Sequence, residues 1–426
     1  MIEAAHGCAD DQPRLVTAKS APFALGRRAS FWVSAGVVGH TFWTSAAPAM
    51  TYPLYAREWG LTHTTTTAIF AIYPIVVVAV LIGFGDVSDH IGRRATMLLG
   101  LSASILGVLL FALAPSVLWL FAGRFFMGVG VGLAAAPSTA ALVEFSPDGQ
   151  FKRASSITTV AQSAGFVAAL LIGGALIEYA PFPTRLSFWT LLVVLVVLFG
   201  ASWLLPRPAI SEALGRWRPK APSIPAELRK TFALAALAVT TAYTHGVLVL
   251  SLGAQIAHDL VGSTDAFVNG AALSLFAILS GAVGIAAKPI AFRWAILIGA
   301  VASATGMALF ALAVAWHALF IFLGATATSG VGYSLLVLGG LEMINVAAPP
   351  HRRGGTLSAL YLIAYLSLGA VALLLGAVAT ASGLGLAVDL GAGVIGAMSL
   401  ATLGLAAARR GPALRTAARQ SASNPR

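Results

Sequence analysis

"GDVSDHIGRR", residues 85–94, places two aspartates, a histidine and two arginines in ten residues of a chain in which only 10% of residues are charged. Apolar stretches flank it, 66–84 before and 95–114 after. Each is about 20 residues long, the length at which a helix crosses roughly 30 Å of hydrocarbon. The decade therefore reads as a tight polar turn between two antiparallel membrane helices.

The same reading, carried outward, gives twelve membrane segments near 31–53, 66–84, 95–114, 117–140, 155–178, 186–205, 231–256, 267–287, 292–315, 318–341, 355–380 and 385–407. A hydrophobic content of 58% and a mean hydropathy of +0.88 exceed what a soluble domain carries, so the expected solvent is a lipid bilayer. Residues 1–29 place Glu3, Asp10 and Asp11 ahead of Arg14, Lys19, Arg27 and Arg28, which is not the charge order of a cleavable signal peptide. The first segment is expected to act as the membrane signal. The single cysteine, Cys8, excludes an internal disulfide and leaves no zinc cluster, so no metal site is expected.

A net charge of +11 raises nucleic acid as a partner, and its distribution removes it. Once the segments are threaded, 23 of the 26 Lys and Arg residues fall on one side; Arg57 and Arg185 fall on the other and Arg124 falls inside a segment. The positive-inside rule then places both chain ends and the 85–94 turn in the cytoplasm. Basicity reports topology.

The chain repeats itself. "GLSASILGVLLFALA" at 100–114 matches "GAVASATGMALFALA" at 299–313 in nine of fifteen positions, an offset of 199. "GVG" at 130–132 aligns with 330–332, and Lys152-Arg153 with Arg352-Arg353, at an offset of 200. A six-helix unit returns to its starting side, so two copies run in the same direction, related by an axis along the membrane normal. The expected organisation is a tail (1–29), an N-terminal bundle (30–205), a linker rich in proline and base (206–230), a C-terminal bundle (231–408) and a second tail (409–426).

The 85–94 turn resembles the signature of the major facilitator superfamily, of the form GxLxDxxGR followed by Arg or Lys. Gly85, Val87, Asp89, Gly92, Arg93 and Arg94 occupy its positions, with valine in place of leucine. Twelve helices, two parallel halves and a basic central loop extend the resemblance over nearly the whole chain. It implies an all-α membrane fold in which two six-helix pseudo-repeats surround a central cavity and rock to expose it alternately to either side. It also implies that this turn latches the halves together on the cytoplasmic side in the outward-open state. In physical terms, Gly85 and Gly92 permit a tight backbone, and Asp89 can meet the free N–H groups of a facing helix that starts near Gly354. Arg93 can pair with Asp89 and with Glu144. The matching turn of the second half, "GIAAKPIAFRW" at 284–294, keeps Lys288 and Arg293 without an aspartate, so latching is expected from the first half alone.

Arg124 lies eight residues into the fourth segment, roughly 12 Å deep. A charge at that depth costs about 3 kcal/mol and needs a polar cavity or a partner. "GRFFMGVGVG" resembles the family's RxxxGxGxG pattern, which implies proton coupling or substrate anchoring by Arg124; the plain alternative is an arginine satisfied by backbone carbonyls. His40 and His245, in the first segments of the two repeats, titrate near neutral pH and suit proton transfer, or simply bond a neighbouring helix. Tyr73, Gln162, Thr241, Tyr243 and Thr244 are candidates to line the cavity. All fifteen acids fall in tails, loops or helix ends, so the cavity is expected to be electropositive. The fifth segment, "GFVAALLIGG" at 165–174, carries Ala169-Leu170 where exporting antiporters of the family carry Gly-Pro.

No HExxH, GxSxG or GxxxxGK[ST] occurs, which argues against an enzyme and against direct ATP drive. The expected function is a proton-coupled secondary transporter of a neutral or anionic small organic molecule, with export ahead of uptake. Proton-coupled uptake of an organic acid or other metabolite is the alternative, and a non-transporting receptor follows it. No cofactor is expected beyond the proton gradient. The expected partners are lipid, protons and the transported molecule, around a monomer in a bacterial inner membrane.

Overall fold

The computed structural model describes residues 25–85, 87–146, 151–206 and 223–408. Both tails, Cys8 and most of the 206–230 linker lie outside them. In chain order the helices are α1 (Arg27–Ala46), α2 (Tyr52–Trp59), α3 (His63–Phe84), α4 (Val87–Ile91), α5 (Arg93–Ala112), α6 (Val117–Phe145), α7 (Phe151–Tyr179) and α8 (Leu186–Trp203). After the linker come α9 (Arg229–Gly246), α10 (Gly253–Gln255), α11 (Ala266–Ala286), α12 (Phe292–Ala315), α13 (Leu319–Ala347), α14 (Pro350–Ser382) and α15 (Leu384–Ala408).

Eleven of the described helices are long and apolar enough to cross a membrane, one fewer than the sequence segments suggest. The difference is the first segment. Its inner face carries Ser30, Ser34, His40, Thr41 and Thr44, all buried, which lowers its hydropathy. It also does not run straight from 31 to 53. Pro48 has no N–H to continue the ladder, and the chain bends through a 3-10 turn at Ala47–Met50 into α2. The seventh segment is likewise interrupted: after α9 the backbone widens into π-helical turns at Val247–Ser251 and Ile256–Leu260, on either side of α10.

Packing in the first half recurs in the second. α5 packs along α6 as α12 does along α13, α3 against α6 as α11 against α13, and α5 against α8 as α12 against α15. Glycines set the close approach. A Cβ at Gly130 would drive into Ser104, and a Cβ at Gly332 would drive into Ser303. Gly128 meets Tyr73 and Val76 of α3 as Gly330 meets Phe276 of α11. The structural equivalent of Gly130 is thus Gly332, an offset of 202, and the "GVG" match at 330–332 is out of register by two residues. Alternate glycines produce two equally good alignments, and only the serine each one faces separates them.

The halves meet along two seams. α7 lies against α11, where a Cβ at Gly174 would strike the Ala266 carbonyl and one at Gly270 the Leu170 carbonyl. α3 lies against α14, where Thr67 occupies the space a Cβ at Gly376 would need. Exposed Trp32, Trp203 and Trp294 sit near the ends of helices on the side where α1 begins, and Trp119, Trp189 and Trp316 near the opposite ends. Such bands mark the two lipid–water interfaces. The side where α1 begins is called the basic face below, and the other the distal face.

Candidate functional site

Seven residues after Val117, about 10 Å along α6, Arg124 is 1% exposed. Its Nη1 donates to the Ser45 carbonyl at 3.0 Å, and its guanidinium lies over the rings of Tyr73 (4.6 Å) and Phe70 (5.7 Å). In the 3-10 turn that ends α1, the residue placed to donate to Ser45 is Pro48, which cannot, so that carbonyl is available. The Arg124 Nε has no partner, and no described carboxylate pairs with the guanidinium. A buried cation supported by one carbonyl and two aromatic faces is electrostatically under-compensated.

An arc of aromatic rings crosses between the halves. Phe42 of α1 stands 6.3 Å from Phe166 of α7, which is 6.0 Å from Phe276 of α11 across the seam. From Phe276 the arc continues to Tyr333 of α13 (5.3 Å), then to Tyr243 of α9 (6.1 Å) and Tyr365 of α14 (5.0 Å), with Tyr361 one turn away. Tyr73, on the first half, lies on α3, whose Ala71 and Ile75 border Gly369 of α14, one turn from Tyr365. Tyr333, Tyr361 and Tyr365 are absent from the sequence-derived candidates. The spacing of Tyr361 and Tyr365, four residues apart on one helical face, is the signal that could have found them.

The remaining candidates divide. Gln162 of α7 is half-buried and its side chain makes no hydrogen bond to a described residue. His40 and His245 are sealed inside their own halves. His40 contacts the Val37 carbonyl and lies 3.5 Å from Ser104 Oγ of α5; His245 contacts the Thr241 carbonyl (2.8 Å) and Ser303 Oγ of α12 (3.1 Å), which bonds Ser399 of α15. Thr241 and Thr244 are buried, and their hydroxyls return to the Leu237 and Thr241 carbonyls of α9. The structure therefore joins Tyr73 to Arg124 and Tyr243 to the tyrosines. It holds His40, His245, Thr241 and Thr244 in bonds within single halves.

The 85–94 turn is in place without touching the other half through Asp89. Gly92 has φ +89°, where a side chain is strained, whereas Gly85 is helical at φ −55° and needs no such freedom. Arg93 pairs with Glu144, and Arg94 donates to the Leu205 carbonyl at 3.0 Å with Trp203 beneath it. Asp89 is exposed and makes no hydrogen bond or ion pair among the described residues. α14 begins at Pro350, so Gly354 is inside the helix, exposed, with nothing within 4 Å of a Cβ built there. Asp89 does not meet Gly354 here, and the start of α14 is at Pro350, four residues before Gly354. Conversely, the second-half turn does bridge: Lys288 Nζ donates to Ser155 (3.2 Å) and Ser156 (2.9 Å) near the start of α7.

Among the described residues the distal face carries more bridges. Arg57 donates to His258 and approaches Asp259 at 3.6 Å; His63 meets Gln255 at 3.0 Å. Thr64 Oγ1 donates to Thr380 at 2.9 Å, and the Ala266 N–H to Glu178 at 2.8 Å. Such an arrangement holds the halves shut distally and leaves Asp89 free on the basic face.

Residues 32–372 match the family model described as Major Facilitator Superfamily. Among curated proteins the chain is similar to the multidrug efflux pump LfrA of Mycolicibacterium smegmatis, 32% identical over 133 residues, which is 31% of this chain and 26% of that one. It is also similar to the riboflavin transporter RibZ of Clostridioides difficile, 22% identical over 160 residues, 38% of this chain and 35% of that one. The matches thus span about a quarter and a third of those relatives. Among solved structures, a bacterial homologue of the human lysosomal transporter Spinster aligns with a TM-score of 0.66 at 14% identity, over 91% of this chain and 96% of that one.

Proposed function

The chain belongs to the Major Facilitator Superfamily, and we propose that this membrane transporter carries a neutral or anionic small organic molecule by proton-coupled alternating access, in the direction of export. The observation that supports the charge preference is Arg124, buried two turns inside α6 with no described carboxylate beside it. A cation entering the space beside Tyr73 would meet that charge uncompensated, whereas an anionic or dipolar group would relieve it. On this reading the basic face is cytoplasmic in a bacterial inner membrane, the protein acts as a monomer, and the proton gradient is its only energy source.

In this cycle Arg124 anchors substrate or responds to proton binding, and His40 and His245 exchange protons from within their halves by releasing Ser104 and Ser303. The turn at 85–94 closes the cytoplasmic side when the distal bridges open, Asp89 then reaching the start of α14 near Pro350 rather than at Gly354. Uptake is the second reading, favoured by Ala169-Leu170 in α7, where exporting antiporters carry Gly-Pro. Purified protein in proteoliposomes with an imposed pH gradient, offered organic acids, sugars and neutral and cationic drugs, tests the proposal. Gradient-driven movement of an acid or neutral compound supports it, the sign of the gradient that drives it separates export from uptake, and a preference for quaternary ammonium compounds refutes it.

A further inference from the structure

We infer that Tyr243, Tyr333, Tyr361 and Tyr365 form the half of the cavity that receives a planar aromatic ring, so that the cargo is a flat aromatic molecule that is neutral or carries an anionic group. The inference rests on the transport reading for the location of the site and adds the chemistry of the ligand.

Four phenols on three helices of one half have ring centroids 5.0 to 6.5 Å from a neighbour. Tyr333, Tyr361 and Tyr365 sit near the middle of their helices and Tyr243 lies three residues before the end of α9, where the segment continues into the π-helical turn at Val247–Ser251; each of the four remains half-buried rather than sealed. Closely packed core aromatics would bury their faces in one another. The hydroxyls of Tyr333 and Tyr361 make no hydrogen bond to a described residue, and neither is among the side-chain atoms closed off from solvent-sized space. Gln162 presents an amide in the same condition from α7, whose Phe166 stacks through Phe276 onto Tyr333. Ring faces with open donors around them match a flat ring with acceptors at its rim, because offset and edge-to-face stacking need planar partners.

Aromatic cages also attract cations. Here Arg124 stands over Tyr73 of α3, and α3 packs against α14, the helix that carries Tyr361 and Tyr365, so a positive charge already occupies the first-half side. That field selects against a cation and for a ring bearing a carboxylate or similar group.

The test measures binding of three compounds to the purified full chain by titration calorimetry: 2-naphthoate, its saturated analogue decahydro-2-naphthoate, and N-methylquinolinium. The expected order is 2-naphthoate tighter than each of the others by about tenfold or more. Tyr361→Leu with Tyr365→Leu should weaken 2-naphthoate by at least about tenfold, while Tyr361→Phe with Tyr365→Phe, which keeps the rings, retains more than half of the affinity. Thermal unfolding of the ligand-free variants checks that each is folded. Equal binding of the saturated compound, tighter binding of the cation, no binding of 2-naphthoate, or unchanged affinity in a folded double-leucine variant would each overturn the inference. Binding in the expected order without flux in proteoliposomes would overturn the transport reading instead, and flux of substrates without ring preference would overturn only this one.

Discussion

The Nε2 of His245 lies 3.1 Å from the hydroxyl of Ser303, and in the other half His40 stands in the same relation to Ser104 at 3.5 Å. Each pair ties the first membrane segment of its half to the third. Ser303→Ala should leave an imidazole nitrogen buried without a partner, at a cost of about 1–3 kcal/mol. A lowered thermal midpoint in detergent, with gradient-driven flux retained, is the expected outcome. His245→Ala is expected to lose gradient-driven flux while keeping substrate exchange without a gradient; full retention of driven flux would remove the histidine from proton transfer.

Two glycines of the proposed latch should respond oppositely to alanine. Gly92 is held at φ +89°, ψ 147°, a region open essentially to glycine alone, so Gly92→Ala should cost about 1–3 kcal/mol. Gly354 is in the interior of α14 with open space around it, and Gly354→Ala should be neutral or gain about 0.5–1 kcal/mol. Thermal unfolding of the two variants checks this directly.

Bridges on the distal face should set the balance between conformations. Arg57→Ala removes the contact with His258 and Asp259 between exposed groups, worth about 0.2–1 kcal/mol. Global stability should scarcely change. The distal-closed population should fall, read as increased alkylation of a cysteine introduced at Ala254, which is buried beside Gln255 and takes no part in the bridges, in a background lacking Cys8. Unchanged alkylation would mean that the α7–α11 and α3–α14 seams hold the face shut without Arg57.

The seam itself should tolerate no bulk. Gly270→Leu would force a side chain against the Leu170 backbone carbonyl, which cannot move aside, and should separate α7 from α11. Loss of transport with a lower thermal midpoint is expected, against a mild effect for Gly200→Leu, where a Cβ meets nothing within 4 Å.

Much of this architecture is legible in residue order because lipid imposes it. Continuous apolar runs must be helices and their length fixes the spans, while the basic loops support the orientation proposed for them. What the sequence conceals is where a helix deviates: Pro48 announces the bend in the first segment, but nothing in "VLVLS" announces the π-helical turn at 247–251. At the site, Arg124 is conspicuous because a charge in an apolar run is costly. His40 and His245 are equally conspicuous, and their sequence does not show that each faces a serine of its own half. Tyrosines are the reverse case. They pass as ordinary membrane residues, and only the convergence of α9, α13 and α14 makes Tyr333, Tyr361 and Tyr365 a group. Lys288 shows the same limit: nothing in the second-half turn, which lacks an aspartate, signals that it reaches across to Ser155 and Ser156.

The most direct test of the account is flux in proteoliposomes under a fixed pH gradient, comparing the native chain with Arg124→Ala and Arg124→Lys for an acid or neutral compound shown to be transported. Driven flux should be lost in Arg124→Ala and partly kept in Arg124→Lys, with both variants folded. Driven flux undiminished in Arg124→Ala would contradict it.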